Sequence, residues 1–252
     1  MMVWPDIAVF ILGAIVGSFL NVCIYRIPEE RSIIFPASSC PQCGKPIRFY
    51  DNIPLLGYLI LRGRCRDCRA RIPLRYPLVE AITAVMALLL YWKFGFGLPC
   101  LVAFVFVCTL IVITFIDVAH QIIPHVITLP GIPVFFLAAV FVMRIPPVEA
   151  FVGMMTGIGC LYLIAVYYEA LTGNEGMGGG DVNLLAMLGA FLGWQSLIFI
   201  LLIGAFTGAL VGITLMIIRG KDLKYAVPFG PFLSLGGLVY LFWSERLKLL
   251  LF

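Results

Sequence analysis

The stretch TGNEGMGGGDVNLLAMLGAFLGW, residues 172–194, sets four glycines within five residues just before Asp181, and Asp181 opens an apolar run. An ionisable side chain is expensive inside hydrocarbon. The fold class therefore turns on whether that run is the edge of a soluble core or of a bilayer. Composition decides it. Of 252 residues 62% are hydrophobic and 12% charged, and the mean hydropathy is +1.08. A soluble domain has no use for so much apolar surface, whereas a polytopic membrane protein does. Runs near the roughly 20 residues that span a bilayer recur along the chain. They fall at 6–25, 77–93, 98–116, 126–143, 148–170, 183–194, 196–218 and 229–243. The sixth is short and the eighth is interrupted by glycine. The reading predicts an all-α polytopic membrane protein of about eight transmembrane helices. No basic region precedes the first run, and YRIPEE follows where a small-residue cleavage site would stand, so a retained span is expected rather than a signal peptide.

Charge gives the orientation. Residues 26–76 carry ten of the seventeen Lys and Arg: Arg26, Arg31, Lys45, Arg48, Arg62, Arg64, Arg66, Arg69, Arg71 and Arg75. Only Glu29, Glu30, Asp51 and Asp67 oppose them. This segment is expected in the cytoplasm, and with eight spans the loop holding Arg219, Lys221 and Lys224 joins it. Lys93, Arg144, Arg246 and Lys248 are left outside, as is the N-terminus. The chain divides into a first span, 1–25, a cytoplasmic loop, 26–76, and a transmembrane bundle, 77–252. Asp117 and Asp181 then both fall at cytoplasmic ends of spans.

The cytoplasmic loop reads CPQCGKPIRFYDNIPLLGYLILRGRCRDC, with Cys40 and Cys43 as one C-x-x-C pair and Cys65 and Cys68 as another. Two such pairs offer four thiolates to a tetrahedral zinc. The 21 residues between the pairs slightly exceed the usual zinc-ribbon window. A disulfide pairing fits the spacing but not a reducing cytoplasm, and a redox C-x-x-C is the other alternative. The loop has few residues for a core of its own, so a metal would help it fold. Cys23, Cys100, Cys108 and Cys160 stand singly in apolar runs, as packing residues do.

Asp117 lies in ITFIDVAHQIIPH, where the third span ends. The C-terminal end of a helix opposes a negative charge, and the N-terminal end, where Asp181 stands, favours one. Brought together, two such carboxylates would hold one proton between them, one acting as base toward a water and the other as acid toward a carbonyl. Plainer readings exist for each. Asp181 can be an N-cap, and Asp117 can sit solvated and idle among headgroups. His120 and His125 could join them as metal ligands, but DVAHQIIPH has no established ligand spacing. Nothing in the spacing shows that the two aspartates meet.

Several blocks of the chain, in order, resemble the type IV prepilin peptidase family. GAIVGSFLNVCIYRIP resembles the family's opening span, and the two C-x-x-C pairs, with DNIPLLGYL between and RYPLVE after, its zinc loop. FIDVAHQIIP and GMGGGDVNLLAMLGAFLGW resemble its two aspartate motifs, and VPFGPFLSLGG its last span. The GxGD element alone would also suit presenilin-like intramembrane proteases.

The resemblance implies a bifunctional enzyme of the bacterial inner membrane serving type IV pili or type II secretion. Asp117 and Asp181 would be its catalytic aspartates, and Cys40, Cys43, Cys65 and Cys68 its zinc ligands. The substrates implied are prepilins or pseudopilins, cut after a glycine at the cytoplasmic face. The new N-terminus is then methylated from S-adenosylmethionine. For that donor the residues indicate no site: no G-x-G-x-x-G follows a strand. Arg26, Arg62 and Arg64 are open to contact with the donor or with anionic membrane lipid, or to the plain role of a positive flank. Glu80 is expected in the first turn of a helix, where negative charge is favourable, and neither it nor Glu169 is assigned a catalytic role. No nucleic-acid partner is expected, and a monomer is the simplest assumption. A peptidase without methyltransferase activity is one alternative. A metal or proton transporter is another, but it predicts ligands near mid-membrane and internal repeats.

Overall fold

The computed structural model describes residues 3–173, 178–219 and 228–251. Among these residues the chain forms nine helices: α1 (Val3–Arg26), α2 (Leu56–Ile60), α3 (Arg75–Phe94), α4 (Leu98–His120), α5 (His125–Phe141), α6 (Pro147–Thr172), α7 (Gly179–Leu192), α8 (Trp194–Arg219) and α9 (Gly230–Leu251). Each of the eight apolar runs is a helix. Five of them, α1, α3, α4, α6 and α8, are long and apolar enough to cross a bilayer, while α5 and α7 are shorter apolar helices. The chain is an all-helical membrane protein. The basic segment with Lys221 and Lys224 lies outside the described residues, as do the side chain of Arg219 and residues 174–177. Two compact units divide within α4, residues 1–112 and 113–252.

In the first unit α1 packs antiparallel to α3. Lipid tails are as apolar as leucine, so helices in a membrane adhere where small residues let backbones approach. Gly13 and Gly17 of α1 do this: a Cβ on Gly13 would lie 2.8 Å from Ala84 Cα, and one on Gly17 2.7 Å from Glu80 Cα. Polar ties close both ends of the pair. Trp92 Nε1 donates to Asp6 Oδ1 at 3.0 Å, and Asn21 Nδ2 donates to the Tyr76 carbonyl at 3.0 Å. Glu80 is not in a first turn, because α3 already begins at Arg75. Its carboxylate is buried and accepts the Leu55 N–H at 2.7 Å, fastening the preceding loop to the helix. Between α1 and α3 only Cys40, Gly57 and Gly63 are buried, so the loop has no apolar core.

In the second unit α7 is central, touching α5, α6, α8 and α9. Val182 and every residue from Leu184 to Leu192 are buried. A helix apolar on all sides belongs inside protein, which is why fourteen residues suffice here. Gly153 of α6 faces Gly189 of α7, and a Cβ on Gly157 would lie 2.7 Å from the Leu185 carbonyl. Gly157→Leu is expected to wedge α6 from α7 and to cost about 3 kcal/mol, read as a lowered midpoint of thermal unfolding in detergent. Glycine does not interrupt α9. A Cβ on Gly236 would meet Ile200 Cα at 2.8 Å, so this glycine seats α9 on α8, and the helix departs from helical geometry later, at Trp243.

Candidate active site and metal centre

The second unit brings the two aspartates together. Asp117 occupies the last turn of α4 and is buried. Its Oδ2 accepts the backbone N–H of Gly230, the first residue of α9, at 3.0 Å. Asp181 occupies the first turn of α7, after Gly178 in extended geometry. It is not the N-cap: Gly178 holds that position, and its carbonyl accepts the Asp181 N–H at 3.1 Å. The Asp181 carboxylate is therefore free for other work, and its Oδ1 is buried without a hydrogen-bond partner among the described residues. Asp117 and Asp181 interact electrostatically. A buried oxygen left unpaired beside a second carboxylate is costly in a merely structural role.

Two glycines make the approach possible. A Cβ on Gly230 would lie 2.7 Å from Asp117 Oδ2 and 2.9 Å from Ile123 Cδ1, and one on Gly180 would lie 2.7 Å from Ile123 Cβ. Gly230 was not singled out by the sequence. The signal it left was weak: a glycine before Pro231 at the start of an apolar run. Gly230→Ala is expected to push the Asp117 carboxylate aside and to slow turnover about 100-fold, the usual cost of a misplacement near 1 Å. Turnover and substrate affinity measured separately would show a loss confined to the former.

The histidines form no metal-competent group with the aspartates among the described residues. His120 is exposed at the end of α4, and His125 Nδ1 shares a 3.0 Å hydrogen bond with Asn183 Nδ2. Among the described residues the one metal-competent group is Cys40, Cys43, Cys65 and Cys68.

Those cysteines form two matching knuckles in the first unit. Cys40 N–H donates to the Lys45 carbonyl and Gly44 N–H to the Cys40 carbonyl; in parallel, Cys65 N–H donates to Ala70 and Arg69 N–H to Cys65. Isolated bridges Ser39–Pro46 and Arg64–Arg71 close the two turns. The four sulfurs lie within 4.8 Å of one another, with Cys40 and Cys68 Sγ at 3.8 Å. A tetrahedral zinc with Zn–S bonds of about 2.3 Å needs sulfurs about 3.8 Å apart. The donor set and its spacing thus fit a metal that prefers four thiolates. Lys45 to Asp67, at 3.1 Å, ties one knuckle to the other, and Arg66 grips Asp51 with two bonds of 2.8 and 2.6 Å. Without a metal the thiols share protons unequally. The Cys43 N–H, the largest influence, draws Cys40 down to about 7. The Ala70 N–H pulls Cys68 down, but desolvation and the neighbouring thiols push it up to about 11.

Residues 11–94 match the Bacterial Peptidase A24 N-terminal domain, and residues 104–213 match the Type IV leader peptidase family. The prepilin leader peptidase/N-methyltransferase of Pseudomonas putida is 37% identical over 94% of this chain and 90% of its own length. The chain belongs to the type IV leader peptidase family. Relatives carrying the same description are 38% identical in Aeromonas hydrophila, covering 95% of this chain and 91% of theirs, and 36% in Legionella pneumophila, covering 92% and 89%. No solved structure matches the chain. In this leader peptidase family member, one matched region holds α1 from residue 11 on, the four-cysteine loop and α3, and the other holds both aspartates.

Proposed function

We propose that this chain is a membrane aspartyl endopeptidase that removes the leader of type IV prepilins or pseudopilins and then N-methylates the new terminus. The observation that carries the reading is the pairing of Asp117 and Asp181 at the ends of two apolar helices, one carboxylate held by Gly230 and the other with a buried oxygen that has no partner among the described residues. One carboxylate of the pair is ionised and the other protonated. The ionised member takes a proton from water as the water oxygen attacks the scissile carbonyl carbon. The protonated member gives its proton to the carbonyl oxygen. When the tetrahedral intermediate collapses, the now-ionised carboxylate takes a proton from one of its hydroxyls as the C=O bond re-forms, the C–N bond breaks, and the amine nitrogen leaves with the proton that the other carboxylate took from water, so the pair again holds one proton. The pair carries one negative charge before and after each transfer, so no step leaves separated charges to be solvated.

In this reading α1 and α3–α9 are the eight transmembrane helices. The division into a first span, 1–25, a cytoplasmic loop, 26–76, and a catalytic bundle, 77–252, follows from it. The N-terminus faces outward across the bacterial inner membrane, with the loop and the aspartates on the cytoplasmic side. Helix ends at that surface reach a bond beside a hydrophobic segment without stranding peptide groups deep in lipid. Cys40, Cys43, Cys65 and Cys68 would hold a structural zinc, which supplies the loop with the core it lacks. The methyl donor is S-adenosylmethionine. The arginine-lined cavity beside Cys65 does not suit that donor, because its charges repel a sulfonium. Incubating the purified chain with precleaved pilin and labelled donor tests the second activity. Label is expected on the pilin N-terminus; cleavage without any label would leave a peptidase alone.

A further inference from the structure

A cavity of about 560 Å³ opens beside the second cysteine knuckle, lined by Ile60, Leu61, Arg62, Arg64, Cys65, Arg66 and Arg69. Four of the seven lining residues are arginines. Only Arg66 has an acidic partner among the described residues, Asp51, so the cavity carries an excess of positive charge. Guanidiniums gathered this way repel one another unless an anion lies among them.

The two knuckles differ in one informative position. The residue after the second cysteine takes a left-handed conformation in both, Gly44 with φ 70° and Arg69 with φ 60°. Glycine adopts that conformation without strain, and arginine does not. The second knuckle therefore carries strain that the first avoids, and what it gains is a guanidinium at the cavity wall. Arg62, with φ 52°, repeats the pattern at another wall of the same cavity.

Apolar surface adjoins these charges. Leu56, Leu59 and Ile60 of α2, 55%, 67% and 67% exposed, follow the spacing of one helix face, and Ile60 also lines the cavity. A free inorganic anion has no use for that face. A phospholipid with an anionic headgroup uses both, its phosphate among the arginines and its acyl region against the leucines and isoleucine. The loop is held at a bilayer surface at both ends, since α1 and α3 are both long enough to span.

We infer that the Arg62, Arg64, Arg66 and Arg69 cavity, with the α2 face beside it, is a binding site for an anionic phospholipid headgroup that docks the cysteine loop on the membrane. The test uses the full chain in neutral detergent, titrated with phosphatidylglycerol, phosphatidylcholine or inorganic phosphate, with amide hydrogen exchange followed over residues 56–72. Phosphatidylglycerol is expected to protect this segment, and phosphatidylcholine and phosphate are not. Arg64→Gln and Arg69→Gly are each expected to raise the phosphatidylglycerol needed for half protection about fivefold, the effect of one arginine near an anionic surface. Arg69→Gly is the sharper variant. It gives the second knuckle the residue that the first already has, so its metal content and thermal midpoint should match or exceed the parent's. Equal protection by both lipids would overturn the inference, as would protection by phosphate alone. Loss of metal from Arg69→Gly, with lipid protection unchanged in Arg64→Gln, would return these arginines to a structural role.

Discussion

Asp117→Asn and Asp181→Asn are each expected to reduce prepilin cleavage by about 10³-fold or more while the protein still inserts and folds. Asparagine keeps the size and planarity of aspartate, so the Gly230 N–H still finds an oxygen at position 117. The variant loses the ability to gain and release a proton. Because the pair works on one shared proton, either substitution removes a partner from every step, and general acid–base catalysis commonly contributes 10²–10⁴-fold. Combining the two should add little to either alone, as happens when residues act as one unit. Initial rates on a purified prepilin, beside helix content and detergent-solubilised yield, would check this. Substantial cleavage by either single variant would remove that residue from the chemistry.

Cys40→Ser is expected to lose bound metal and to unfold the cysteine loop while leaving the helices of the second unit intact. The loop buries only Cys40, Gly57 and Gly63 between α1 and α3. Four-thiolate zinc sites contribute on the order of 10 kcal/mol to the structures they hold, far more than the exposed Lys45–Asp67 tie can replace. Metal analysis and hydrogen exchange over residues 38–72 would report the loss together. Acid should act in the same direction, because a metal binds thiolates and protons compete for them. Against the pull of the Ala70 N–H, desolvation and the neighbouring thiols hold the Cys68 proton above the ordinary thiol range, so a metal must displace protons at neutral pH. Metal retention is therefore expected to fall as pH falls. A folded Cys40→Ser protein that kept its metal and its exchange protection would disprove the four-thiolate site.

Much of this molecule could be read before its structure. Composition alone requires a membrane protein, and each apolar run became a helix because hydrocarbon leaves the backbone no other way to satisfy itself over a short segment. The cysteine pairs were legible because metal geometry constrains local spacing. What could not be read was long-range contact. Asp117 and Asp181 are linked through Gly230, which binds Asp117, and through Ile123, which both Gly230 and Gly180 approach, and no periodicity reports such neighbours. Gly230 lies 113 positions from the Asp117 it holds. Gly236 looked like a break in a helix and is a contact surface for Ile200. Glu80 looked like a first-turn charge because the start of α3 was read two residues late. In each case a glycine or a carboxylate was visible, but its partner was in a distant part of the chain.

The most direct measurement is the mass of the products when detergent-purified protein meets a synthetic prepilin under conditions where it is folded and metal-loaded. A single cut after the leader glycine is predicted, giving an intact leader and a mature pilin that gains one methyl group when S-adenosylmethionine is added. An uncut prepilin under those conditions would contradict the account and return Asp117 and Asp181 to a structural or transport role.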